Sequence, residues 1–223
     1  MHAIKIKRII FFIAAASVAF AVVLIASLSS CSYSVSCDYR FYYVCYDCPT
    51  DAVSASSISS LVESYGGAGY IVQSEGQYYV TVACYYDERD AQSVAQTLIK
   101  KQLNCQVIEV ERQSFTLAPS RRRYAEKYLA TLATLRQISA VLYDLANAVD
   151  CLSCDQVGAA AVLSDVETTL EGLERDNASN CFAAETGALL AECRDANYGY
   201  ILARDIRRLQ IAVCDAIINT EIY

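Results

Sequence analysis

Residues 77–98, QYYVTVACYYDERDAQSVAQTL, contain two different periods, and the switch between them decides the fold. Val80 and Val82 fall on one side of an extended chain, with Tyr79, Thr81 and Ala83 on the other. Beyond Asp87 the spacing becomes helical, with Ala91, Val94, Ala95 and Leu98 in one stripe. Asp87 suits the N-cap of that helix, because its carboxylate accepts from orphan N–H groups of the first turn. A strand that feeds a capped helix, with tyrosine on its outer face, is the unit to extend in both directions.

Working outward, residues 41–111 read as strand, helix, strand, strand, helix, strand. Phe41-Tyr42-Tyr43-Val44-Cys45-Tyr46 is the first strand, ended by Pro49. A helix from Ala52 to Tyr65 carries Val53, Ile58, Leu61 and Val62, and Gly66-Gly67-Ala68-Gly69 stops it. Tyr70-Ile71-Val72-Gln73 pairs through the Glu75-Gly76 turn with the stretch beginning at Gln77. The helix after Asp87 runs to about Leu103, and Cys105 to Val110 closes the sheet. The expected fold class is α+β: a βαββαβ, ferredoxin-like, four-stranded antiparallel-type sheet with both helices on one face. With Val44, Tyr46, Val80 and Val82 directed at the helices, Tyr43, Cys45, Gln77, Tyr79 and Thr81 point to the other face. That face is expected to be bare.

At these residues the chain resembles the SPOR family, small bacterial domains that bind peptidoglycan. Tyr43-Val44-Cys45-Tyr46 stands where the family has an aromatic-Val-Gln-apolar first strand. Tyr79 to Ala83, followed by Asp87-Glu88-Arg89-Asp90-Ala91, stands where it has a second such strand, a turn and a charged helix start. The chain departs from the pattern at Cys45, where the family has glutamine, and at Ala83, where it has glycine. The resemblance implies that denuded glycan strands are the partner, held on the bare sheet face. Carried onto this sequence, the glycan-binding set is Tyr43, Cys45, Cys48, Gln77, Tyr79 and Thr81. A phenol ring covers the apolar C–H face of a sugar while its hydroxyl meets sugar hydroxyls, for about 1 kcal/mol per contact.

From Pro119 onward the texture is helical. Tyr128, Leu135, Leu142 and Val149 recur every seven residues, with Ile138 and Leu145 between them. A second helix is expected from Asp155 to about Glu174, and a long final one carries Leu189, Leu190, Cys193, Ile201, Leu209 and Val213 toward Ile217. Asn197-Tyr198-Gly199-Tyr200 interrupts the last of these as a kink or a close crossing. Three such helices make an antiparallel bundle. Asp165, Glu167, Glu171 and Glu174 read as a solvated helix face, since no E-x-x-H partner accompanies them.

The N-terminus carries a different signal. Residues 9–30 hold no charge and, at 1.5 Å each, span roughly 33 Å, enough for the ~30 Å hydrocarbon layer. Lys5, Lys7 and Arg8 precede this transmembrane anchor, so positive-inside bias places residues from about 31 onward outside the cytoplasm. Leu28-Ser29-Ser30-Cys31 also resembles a lipobox, the alternative anchor being a lipidated Cys31. The expected organisation is a basic tail (1–8), the anchor (9–30), a juxtamembrane linker (31–40), the SPOR-like unit (41–111), a second linker (112–119) and the bundle (120–223).

Composition narrows the chemistry. A net charge of −7 and a pI near 4.8 leave no basic stripe for nucleic acid, and Arg121-Arg122-Arg123 reads as a solvated helix start. Eleven cysteines include two C-x-x-C pairs, Cys45/Cys48 and Cys151/Cys154. They are about 100 residues apart and the one histidine is His2, so no metal site is expected. In an exported chain cysteines pair as disulfides, and otherwise they serve as small buried hydrophobes. No cofactor and no hydrolase machinery are expected, because no histidine base lies beyond the anchor. Three functions remain. The first is a membrane-anchored protein that binds peptidoglycan in cell division or sporulation, its bundle meeting another envelope protein. The second is an envelope scaffold whose sheet no longer binds sugar. The third is an exported thiol–disulfide protein using Cys45 and Cys48.

Overall fold

The computed structural model describes residues 32–46, 51–74 and 76–222. The basic tail, the anchor expected at 9–30, Cys31 of the lipobox alternative and Cys48 lie outside the described residues. Among the described residues no helix is long and apolar enough to cross a membrane.

The chain folds as α+β. Strands β1 (Tyr33–Tyr46), β2 (Tyr70–Ser74), β3 (Gln77–Tyr85) and β4 (Cys105–Leu117) form one antiparallel sheet in the order β2-β3-β1-β4. Helix α1 (Ala52–Ser64) starts at Asp51, whose carboxylate accepts from the Ser54 N–H at 2.8 Å. Helix α2 (Glu88–Lys100) starts at Asp87, which accepts from the Arg89 N–H at 2.8 Å. Both helices lie on one face of the sheet. Ala55 and Val62 of α1 pack with Val80, while Ala91 and Ala95 of α2 pack with Tyr42 and Val44.

Two expected linkers turn out to be strand. Residues 33–40 extend β1 and residues 111–117 extend β4, pairing Tyr33 with Leu117 and Val35 with Phe115. The alternation Val35, Phe115 and Leu117 explains this, since all three are buried in the main core.

The bundle has four helices rather than three: α3 (Ala125–Asp150), α4 (Gln156–Asn177), α5 (Ala183–Ala196) and α6 (Ala203–Asn219). The long final helix predicted from sequence breaks at residues 197–202. Gly199 adopts φ +79°, a left-handed conformation that a helix does not contain. Released from α5, α6 turns back and lies between the sheet and α3. Its central part is buried over a broad face: Ile206, Leu209, Ile211, Val213, Cys214 and Ile217 are each at 0 % exposure. An apolar face this broad, with Arg204, Arg208 and Asp215 on the remaining side, packs against two layers at once. The bare sheet face expected from sequence is therefore a correction. It is the floor of the main core, with α6 as its roof.

Candidate functional site

The sheet's second face is assembled by register. Tyr43 pairs with Ile108 on one side and Cys84 on the other, and Cys45 pairs with Gln106 and Thr81. Thr81 in turn opposes Tyr70, and Tyr79 opposes Val72. Directly opposed residues share a face, so these side chains form one surface. The predicted pleat is thus correct for Tyr43, Cys45, Tyr79 and Thr81, which do stand opposite the α1/α2 side.

Between β1 and β3, alternation fails at one place. Val44 pairs with Ala83 and Cys45 with Thr81, which leaves Val82 as an extra residue in β3. Such a bulge inverts the facing of everything beyond it. Ala83, expected beside Tyr79 and Thr81, instead opposes Val44 on the α1/α2 side, and Cys84 is delivered to the covered face. No local composition signal marks Val82, so strict alternation could not reveal it.

The covered face does not meet solvent. Tyr43 is 2 % exposed, and Cys45 and Thr81 are at 0 %. The Cys45 thiol lies 3.9 Å from Thr81 Oγ1. The Tyr43 hydroxyl is buried and finds no hydrogen-bond partner among the described residues. Burial pushes that phenol well above its ordinary range. The expectation that Tyr43, Cys45 and Thr81 line an open sugar groove is accordingly corrected: apolar packing by α6 claims the same surface. Tyr79 is half-buried at the margin and donates to Gln77 Oε1 at 2.9 Å, while Gln77 is exposed. Of the predicted set, these two are at the rim.

Polar contacts fix the roof. Gln210 on α6 donates to the Cys84 carbonyl at 3.3 Å, and Tyr70 donates to Asp215 Oδ2 at 3.4 Å. Arg208 pairs with Glu63 at 2.9 Å, and Arg204 donates to the Glu63 carbonyl at 3.2 Å. Arg112 on β4 donates to the carbonyls of Ile217 and Thr220. At the centre the Cys84 thiol donates to Cys214 Sγ at 3.6 Å. Burial raises the Cys84 thiol well above its ordinary value, and its bond to Cys214 adds to that. Beside them the Tyr86 hydroxyl lies 2.8 Å from Ser139 Oγ, and the Arg136 guanidinium sits 3.8 Å from the Tyr86 ring centre.

Elsewhere the surface is ordinary. Arg194 pairs with Glu167 at 2.7 Å and Glu171 at 2.8 Å, the solvated carboxylate face of α4. Among the described residues, no group of three or more His, Cys, Asp or Glu side chains is gathered to hold a metal ion. A cleft of about 520 Å³ at the turns joining α3 to α4 and α5 to α6 is lined by Asp150, Leu152, Cys154, Asp155 and Tyr200. It contains none of the predicted glycan-binding residues.

No protein-family model matches the chain, and no curated protein matches it. Among solved structures it is similar to the solution structure of the peptidoglycan-binding domain of the B. subtilis cell wall lytic enzyme CwlC. The identity is 20 %, the match covers 32 % of this chain and 90 % of that one, and the TM-score is 0.28.

Proposed function

We propose that the chain is a non-enzymatic scaffold of the cell envelope, with a SPOR-like sheet that serves as a platform for its own helical bundle. The observation that carries this is the placement of Tyr43, Cys45 and Thr81 beneath α6. Magnitudes favour the platform. A ring–sugar contact is worth about 1 kcal/mol. Fully burying a Val, Leu or Ile side chain contributes about 1.5–3 kcal/mol, and α6 buries five of them, Ile206, Leu209, Ile211, Val213 and Ile217. Uncovering the face for a glycan would give up the part of this burial that is made against the sheet, about 1.5–3 kcal/mol for each side chain exposed. Anchoring by residues 9–30, an extracytoplasmic setting and an envelope protein as partner of the bundle belong to this proposal. A role in division or sporulation rests on the SPOR resemblance alone.

The test is co-sedimentation of the full chain, in mild detergent, with purified peptidoglycan before and after amidase treatment. The platform reading expects the protein to stay in the supernatant in both cases. Retention on amidase-treated material that is lost in Tyr79→Ala would overturn it. That result would restore glycan binding at the Gln77–Tyr79 rim.

A further inference from the structure

We propose that Cys84 and Cys214 form a disulfide that locks α6 over the sheet. The inference rests on the platform reading, in which the roof is a permanent part of the molecule. Two sulfurs 3.6 Å apart are in contact already, and a disulfide of about 2.05 Å asks for an approach of about 1.5 Å, within reach of side-chain torsion. The two residues are 130 positions apart in the chain. A bond between them therefore closes a loop of about two thirds of the folded unit, and a cross-link restricts the unfolded chain more the longer the loop it closes. Their meeting also depends on two separate features: the Val82 bulge turns Cys84 to this face, and the break at Gly199 returns α6 to it.

The reaction is thiol–disulfide exchange with a disulfide donor of an oxidising compartment, a small-molecule disulfide or a protein one. One cysteine, as thiolate, attacks the donor's S–S bond, forming a mixed disulfide and expelling one donor thiolate. The second cysteine, as thiolate, then attacks the mixed disulfide, so that the Cys84–Cys214 bond forms and the other donor thiolate leaves. Two protons leave the protein, and two electrons reduce the donor to two thiols. Buried Cys84 is held as a thiol, so exchange occurs before α6 seats or during its transient release. In the reduced chain the roof is held by packing and polar contacts alone.

The experiment is peptide mapping of the full chain after refolding in a mixture of reduced and oxidised glutathione, with free thiols alkylated before digestion. The expected result is a linked peptide pair carrying Cys84 and Cys214, 2 Da lighter than the sum of the two thiol peptides and absent after reduction. The oxidised chain should melt about 5–10 °C above the reduced one, a difference that shrinks in Cys84→Ser and in Cys214→Ser. Alkylation of both cysteines in chain that has native circular dichroism would overturn the proposal. So would a bond from either of them to Cys45. The map is read on wild-type protein, so a variant that fails to fold does not spoil it, and its outcome is independent of sedimentation with peptidoglycan.

Discussion

Arg112 on the edge strand β4 donates from Nη1 to the carbonyl of Ile217 at 2.7 Å, and its second nitrogen reaches the carbonyl of Thr220. The last carbonyls of a helix have no partner within it, and a cation there also meets the negative end of the helix dipole. Arg112→Ala is therefore expected to destabilise the chain by about 2–4 kcal/mol, measured as a lower urea midpoint. Arg112→Lys should recover less than half of that loss, because a single ammonium does not reproduce the guanidinium fork.

Tyr43 gives the opposite sign. Its hydroxyl is buried without a partner among the described residues, while its ring fills the sheet–helix interface. Tyr43→Phe keeps the shape and removes the unpaired group, so it should raise stability by about 1 kcal/mol. Tyr43→Ala should cost about 3–5 kcal/mol through the cavity it leaves. Thermal melting of both variants checks the pair. A destabilised Phe variant would mean that the hydroxyl has a partner after all.

Two glycines separate a required backbone from a tolerated one. Gly69 has φ +63°, and a Cβ there would lie 2.5 Å from Glu63 Cγ and 2.9 Å from the Ser59 carbonyl. Gly69→Ala should cost about 2 kcal/mol or more, partly by displacing Glu63 from Arg208. Gly172 stands inside α4 with open space around its Cα. Gly172→Ala should stabilise by about 0.5–1 kcal/mol. Chemical denaturation curves of the two variants should move in opposite directions.

Asp215 supplies a pH signature. Burial raises its carboxyl above the ordinary value, opposed by hydrogen bonds from Asn219 at 2.6 Å and Tyr70 at 3.4 Å. A raised carboxyl means that the folded state prefers the protonated form. Its stabilising contribution is complete below the ordinary carboxyl value of about 3.9 and disappears as pH climbs through the raised one. Asp215→Asn stays neutral throughout. The melting temperature of the variant minus that of wild type should therefore grow more positive between about pH 4 and pH 7. A flat difference across that range would refute the assignment.

The four-stranded sheet, the Asp87 cap and the facing of Tyr43, Cys45 and Thr81 were legible in the sequence because each follows from local period or capping chemistry. Two features were not. The Val82 bulge has no compositional mark, since Thr-Val-Ala-Cys reads equally well as regular strand. The covering of the sheet is a relation between segments more than 100 residues apart, and no period within either one reports it. A sign was nevertheless present in α6. Ile206, Leu209, Ile211, Val213, Cys214 and Ile217 form a face about 200° wide at 100° per residue, broader than a single packing layer needs. Residues 197–200 read from sequence as an interruption, and the left-handed conformation of Gly199 is what splits one expected helix into two.

Tyr33 and Leu117 are partners in the ladder, so the chain enters and leaves the sheet side by side. Mechanically this is an unzipping geometry. A load that pulled these two ends apart would meet the β1–β4 hydrogen bonds one pair at a time rather than all together in shear. Under tension the first segment to peel would be residues 33–36 with 114–117, taking Val35 and Phe115 out of the core. The outer half of the two long strands would then act as a force-sensitive fuse, yielding while the bundle stays seated on the inner sheet.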